Sequence, residues 1–166
     1  MTIRFLSLST WIVGMTLAVS IHAEVIETCT INHDVKLSEA TQILCLGDLQ
    51  VISDYRILTQ GFALTMIASG NIDFGARLTI AVSEVANEEP GTIEIVATTA
   101  SGFLQIDNRS LNENGAPGTV RIEYVSTNAY DHDIYVNSFT QVELILNGFN
   151  ATAVGSTYKM GELVRN

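Results

Sequence analysis

The segment Asp131-His132-Asp133 holds the side chains of this sequence best suited to bind a metal ion. Calcium takes about six to eight oxygen ligands from carboxylates and carbonyls, and Asn128 stands close enough in sequence to add one. Neither an EF-hand pattern nor a glycine-aspartate repeat accompanies the segment. Asp131 and Asp133 are therefore candidate calcium ligands, and a solvated polar corner is the competing interpretation. No other cofactor is indicated.

Catalysis by a nucleophile would need a histidine base beside a serine and a carboxylate. The sequence has three histidines, His22, His33 and His132, and it contains no G-x-S-x-G motif. Nothing marks a particular serine, so we predict that His33 and His132 are surface residues. We expect no catalytic residues and a protein that is not an enzyme.

Charged residues recur at matching places in four alternating segments: Asp73, Glu94, Arg121 and Glu143. If these segments stack, the four side chains form one row on an exposed face. Paired carboxylates could serve polysaccharide cleavage as general acid and base. The competing interpretation is a solvent-facing row in which Arg121 relieves repulsion between neighbouring carboxylates. The scarcity of Lys and Arg also weighs against cleavage of an acidic sugar.

The segments that would position this row are short and similar. They are Gly70–Phe74, Gly91–Ile95, Gly118–Ile122 and Gln141–Ile145, with their first apolar residues at 72, 93, 120 and 142, which are 21, 27 and 22 residues apart. Strict apolar and polar alternation predicts a β-strand with one buried face. Recurrence at this interval predicts a stack in which each unit buries its face against the next.

Most of the remaining sequence also alternates and is rich in β-branched residues. The predicted strands are Leu49–Ile52, Arg56–Leu58, Phe62–Ala68, Asn71–Phe74, Leu78–Val85, Thr92–Thr98, Phe103–Ile106, Thr119–Val125, Ile134–Phe139 and Val142–Leu146. We predict an all-β, single-domain, short parallel β-solenoid. An antiparallel β-sandwich is the alternative, although Asn147-Gly148 is the one hairpin-type dipeptide flanked by strands.

The run from Ser69 to Val82, followed by Gly91–Ile95, resembles the repeats of secreted bacterial β-helical adhesins of the haemagglutinin type. The resemblance covers about half of the chain that follows residue 23. It implies a parallel β-helix and an adhesive role outside the cell.

Residues 1–23 have the features of a secretory signal peptide: a basic start at Arg4, an apolar run from Trp11 to Ile21, and a small residue at Ala23. The run is too short to cross a bilayer, which takes about 20 residues. We therefore expect cleavage and a secreted or extracellular surface protein, or a periplasmic one in a bacterium. The mature chain would have no membrane span.

In an exported chain the two cysteines, Cys29 and Cys45, predict a disulfide bond. We expect residues 24–48 to form an N-terminal cap, with one short helix or a capping loop over Val35–Leu46. Residues 49–154 would form the solenoid and 155–166 a C-terminal tail or cap. The segments Glu84–Pro90 and Asp107–Pro117 would be loops, the second an insertion into one coil.

The formal net charge of −10 argues against nucleic acid and anionic membranes as partners. The predicted function is that of a secreted, non-enzymatic structural, adhesive or assembly subunit of a fibre, surface or matrix. Its partners would be itself, other surface or matrix components, or glycans. The alternative is a polysaccharide-binding or polysaccharide-cleaving β-helix protein.

Overall fold

The computed structural model describes residues 23–26, 29–82, 89–108, 118–126 and 130–160, and the side chains of 23–26, 130, 131, 138 and 139 are not described. The chain forms a β-solenoid of about four turns. Every described strand pairing is parallel except that of the last two strands. The predicted solenoid is confirmed, and the antiparallel sandwich is excluded.

Each turn passes over three faces. Face A carries β1 (Ala23–Ile26), β4 (Thr41–Cys45), β7 (Leu64–Ala68), β10 (Ile93–Ala97), β12 (Thr119–Tyr124) and the end of β13 (Tyr130–Leu146). Face B carries β2 (Cys29–Ile31), β5 (Leu49–Val51), β8 (Asn71–Asp73) and the starts of β11 (Thr99–Asp107) and β13. Face C carries β3 (Val35–Lys36), β6 (Tyr55–Leu58), β9 (Leu78–Ala81), the end of β11 and the middle of β13.

The core consists of columns of apolar side chains, because alternate residues of each strand point inward and the same register repeats in every coil. On face A one such column is Leu64, Ile93, Val120 and Val142. On face C another is Val35, Ile57, Ile80, Ile106 and Val136. From the second coil upward these residues are at most 1% exposed.

One segment of the predicted repeat was assigned to the wrong column. Ile72 pairs with Leu49 and Ala100 on face B, whereas Leu64 is the residue that pairs with Ile93 on face A. The segments around Ile93 and Val120 do lie side by side in parallel. The error has a simple cause: neighbouring faces of one coil carry the same alternation, so Leu64–Ala68 and Asn71–Asp73 both fit the pattern.

The segment expected to be an N-terminal cap is itself a coil of the solenoid. Instead of a helix or loop over Val35–Leu46, the structure has β3 and β4, which continue the parallel ladders of faces C and A. The predicted disulfide is confirmed: Cys29 on face B and Cys45 on face A of the next coil are joined at the corner between the two faces, with their Cα atoms 5.7 Å apart. Both cysteines are buried.

The last strand, β14 (Phe149–Lys159), turns back and pairs antiparallel with β13 across faces A and C. Its hairpin turn is Asn147-Gly148, the dipeptide singled out in the sequence, and both residues have positive φ, at 50° and 80°. Ala153 of β14 and Met160 are fully buried. This hairpin closes the C-terminal end of the core; residues 161–166 of the predicted tail lie outside the described residues.

The two predicted loops fall largely outside the described residues, at 83–88 and 109–117. The residue before the second of these segments, Asn108, is fixed to the solenoid by hydrogen bonds. The Asn108 side chain is buried, and its Nδ2 donates a hydrogen bond of 2.9 Å to the carbonyl oxygen of Gly91, at the start of the same coil. The coil therefore resumes its register at Gly118.

Candidate functional site

The charged row predicted on face A exists in part. Glu94 pairs in register with Arg121, and Arg121 pairs with Glu143, so these three residues stack on successive coils with their side chains outward. Arg121 donates hydrogen bonds to Glu94 Oε1 at 2.7 Å and to Glu123 Oε2 at 2.6 Å. Burial alone would lower the pKa of Arg121, but the bonds and charges of Glu94 and Glu123 raise it above its ordinary value.

Asp73 does not belong to this row, which corrects the sequence-based grouping. It lies on face B between Gln50 and Ser101. Its Oδ1 accepts a hydrogen bond of 3.0 Å from the backbone N–H of Gly75, whose φ is 62°. Asp73 therefore stabilises the corner between faces B and C, as Asx turns commonly do.

The ion pairs of the row are partly exposed and contribute little to stability. Each Arg121 ion pair is about one-third exposed, with side-chain exposures of 34% for Arg121, 38% for Glu94 and 32% for Glu123. Pairs this exposed contribute roughly 0–1 kcal/mol each. Both carboxylates share one guanidinium, Glu94 on the coil below and Glu123 on the same strand as Arg121. This is the charge relief anticipated for Arg121.

The second predicted cluster, Asp131 to Asp133, divides between the two sides of β13. His132 points into the core and is 4% exposed, whereas Asp133 points outward and is partly buried. The side chain of Asp131 lies outside the described residues. Among described residues no group of three or more Asp, Glu, His or Cys side chains is arranged to hold a metal ion. The structure thus assigns no ligand set to the candidate calcium site.

His132 is not the surface residue that the sequence suggested. It pairs in register with Gly102, which has φ of 86° and no side chain to fill the core. The ring of His132 therefore approaches that of Phe74 below, with ring centroids 5.5 Å apart, and meets Tyr124 edge-on at 5.3 Å. A side chain at Gly102 would clash, because a Cβ there would lie 2.5 Å from the carbonyl oxygen of Gly75.

This aromatic cluster is buried together with its polar atoms. Burial lowers the pKa of His132 to about 4, although the carbonyl and charge of Asp133 act to raise it. Burial also raises the pKa of Tyr124 well above its ordinary value. His132 Nε2 and the Tyr124 hydroxyl have no hydrogen-bond partner among the described residues. Both groups are neutral at pH 7. The cluster therefore packs as part of the core, and protonation of His132 would destabilise it.

The remaining histidine, His33, is exposed on the loop between β2 and β3. Its Nδ1 lies 2.7 Å from Asn32 Oδ1. No serine hydroxyl is hydrogen-bonded to His33 or His132 among the described residues, and the two histidines lie on different coils. The structure therefore brings together no nucleophile and base within its described part.

One site was missed from the sequence. An open groove of about 330 Å³ crosses three coils of face C and is lined by Asp54, Tyr55, Arg56, Arg77, Thr79 and Gln105. Arg56 pairs with Thr79 and Thr79 with Gln105, so the groove runs along the stack. The sequence did contain a signal for this groove: Arg56, Thr79 and Gln105 are each followed by a core isoleucine, at 57, 80 and 106. Stacking these isoleucines places the three polar residues in one outward column.

No protein family, curated protein or solved structure matches this chain. Within the described residues, no helix has the length and apolar character needed to cross a membrane.

Proposed function

We propose that the protein is a secreted, non-enzymatic structural or adhesive subunit that joins to itself or to other matrix components through its first coil. The observation that carries this proposal is the incomplete burial of the core at that end. Val35 in the first coil and Ile43 in the second are only partly buried. Val136 and Leu144, in the same two columns of the last coil, are 0% exposed. A partner placed beneath the first coil would complete the burial.

The backbone of the first coil supports the same proposal. Among the described residues, β1, β2 and β3 each pair with one strand only, those of the second coil. Strand edges with free N–H and C=O groups accept a further strand. At the other end β14 covers the core, so we expect the first coil to be the preferred site of contact.

Export is supported by the disulfide between Cys29 and Cys45, because such bonds persist in oxidising compartments. The non-enzymatic role is supported by the pairing of Glu94 and Glu123 with Arg121, which leaves the face A row suited to a stable surface. Polysaccharide cleavage has no arrangement of described residues in its favour.

The test uses the chain that begins at Glu24, examined by light scattering and sedimentation velocity over a range of concentrations. We expect reversible association, with end-to-end particles visible by negative-stain microscopy. Val35→Lys should weaken association at least tenfold, because it places a charge in the partly open core. The matched control is Thr157→Lys, at an exposed position of β14.

A particle that stays monomeric at the highest concentration would refute the proposed assembly. Equal effects of Val35→Lys and Thr157→Lys would place the contact away from the first coil. Circular dichroism of both variants verifies that they remain folded, so that lost association is not mistaken for lost structure.

A further inference from the structure

The positive charges of this acidic protein are concentrated on one face. Of the five Lys and Arg residues whose side chains are described, Arg121 lies on face A and is engaged by two carboxylates. The other four lie on face C or at its margins: Lys36, Arg56, Arg77 and Lys159. Two of them, Arg56 and Arg77, line the groove together with one carboxylate, Asp54. The groove therefore brings two guanidinium groups together on a chain of net charge −10, with the Asp34 carboxylate beside it accepting a hydrogen bond of 2.8 Å from the backbone N–H of Arg56.

We propose that this groove binds an acidic oligosaccharide, one whose carboxylates are separated by neutral sugar units. A guanidinium can bind a carboxylate through two parallel hydrogen bonds, and Arg is better suited to this than Lys. The amide of Gln105, the hydroxyl of Thr79 and the carboxylate of Asp54 supply donors and acceptors for sugar hydroxyls. Tyr55, which is partly buried against the core, also lines the groove.

Of the residues lining the groove, Arg77 is the best oriented to bind a ligand carboxylate. Its guanidinium carbon lies 5.8 Å from the centroid of the Phe103 ring, within the range of a cation–π contact. No carboxylate lies within ion-pairing distance of Arg77 among the described residues, and the side chain is exposed. The contact with Phe103 holds the charge in place without neutralising it. A ligand carboxylate would therefore meet an oriented, uncommitted cation.

Backbone pairing favours a sugar over an acidic peptide as the ligand. The groove lies on β6, β9 and the end of β11, and β6 and β9 are paired on both sides, with β3, β9 and β11 as their neighbours. No free strand edge exists there to bind the main chain of a peptide. In addition, Asp54 would repel a ligand whose carboxylates are closely spaced, whereas it can accept hydrogen bonds from hydroxyl groups.

The experiment is isothermal titration calorimetry of the mature chain with a hyaluronan hexasaccharide, in which carboxylates alternate with neutral sugars. The matched neutral probe is the same hexasaccharide with its carboxyl groups methyl-esterified. We expect the acidic form to bind at least tenfold more tightly than the ester. Arg77→Gln should weaken binding at least tenfold, and Gln105→Ala about threefold. Arg121→Gln, on face A, should leave the affinity unchanged.

Three results would overturn the proposal. The acidic hexasaccharide does not bind at millimolar concentration, or it binds equally well to the Arg77→Gln protein. Alternatively, a poly-glutamate peptide of similar length binds as tightly and with the same dependence on Arg77, which would make the groove a site for acidic peptides. Thermal unfolding of each variant shows whether it is folded, and Gln105→Ala keeps the test decisive if Arg77→Gln proves unstable.

Discussion

The apolar core of this solenoid is covered differently at its two ends. At the upper end, Leu144 and Val136 are completely buried, because β14 crosses over faces A and C and adds Ala153 and Met160 to the core. At the lower end, the residues of the same columns, Ile43 and Val35, are only partly buried. Burial is therefore more complete in the last coil, whereas the first coil, in which Ile31 and Leu37 are buried but Val35 only partly so, is also held by a covalent cross-link.

The disulfide is well placed to stabilise the first coil. Cys29 begins β2 in the first coil and Cys45 ends β4 in the second, so the disulfide ties the first coil to the second at the corner between faces A and B. A disulfide stabilises mainly by reducing the conformational freedom of the unfolded chain, and it does not require apolar burial. One end of the core is therefore covered by the strand β14, whereas the other is held by the cross-link, and it is this second end that we propose as the site of contact with a partner.

Replacing both cysteines, in Cys29→Ala/Cys45→Ala, tests the lower end and has the largest expected effect. We predict a loss of about 4 kcal/mol in the free energy of unfolding, since the closed loop contributes roughly 3 kcal/mol and two buried sulfurs are also removed. Urea unfolding measures the total. Hydrogen exchange should show the greatest loss of protection in β2, β3 and β4, and an equal loss in β12 would contradict the local role of the cross-link.

Acidification tests the upper end. The pKa of His132 is about 4 in the folded protein against an ordinary value of 6.5, so the unfolded chain binds the proton more tightly. The stability that this residue contributes is complete above pH 6.5 and is lost as the pH falls to about 4. The loss amounts to about 3 kcal/mol. Its neighbours Phe74 and Tyr124 are uncharged, and Asp133 supplies the nearest described charge.

His132→Phe is the matched control for acidification, because it keeps a ring between Phe74 and Tyr124 and removes the titrating group. The free energy of unfolding of this variant should change less between pH 6.5 and 4 than that of the wild type. Urea titrations at several pH values measure the difference. Identical pH dependence of the two proteins would show that other groups control the acid response.

Much of the fold could be predicted from local sequence. Alternation located the strands from Leu49 to Leu146 within a few residues, and Asn147-Gly148 identified the closing hairpin, because these signals depend only on neighbouring residues. The register, that is, which strands stack on one another, was harder to predict. Ile72 and Leu64 have equivalent surroundings in sequence, and only the lengths of the corners decide which of them stacks beneath Ile93.

The candidate site was less predictable for the same reason. Glu94, Arg121 and Glu143 were grouped correctly because they share one face, but Asp73 was added through the register error. The burial of His132 depends on Gly102, a residue 30 positions earlier that leaves space for a ring. The groove on face C joins residues from three coils, so no local pattern reveals it.

The smallest expected effect concerns the turn that closes the upper end. Gly148 has φ of 80°, and a Cβ at this position would have no atom within 4 Å, so Gly148→Ala changes backbone strain alone. We predict a loss of about 1 kcal/mol in the free energy of unfolding. Asn147→Gly, which relieves the φ of 50° at residue 147 itself, is the matched control and should not destabilise.

The informative readout for Gly148→Ala is local. Hydrogen exchange should increase in β14 before it increases in β7 or β10, and the variant should associate more strongly than the wild type in sedimentation, because a loosened hairpin uncovers Leu144 and Ala153. The upper end would then resemble the lower one. If association does not change while β14 loses protection, exposure of the core is not what drives contact between molecules, and the difference between the two ends has no bearing on assembly.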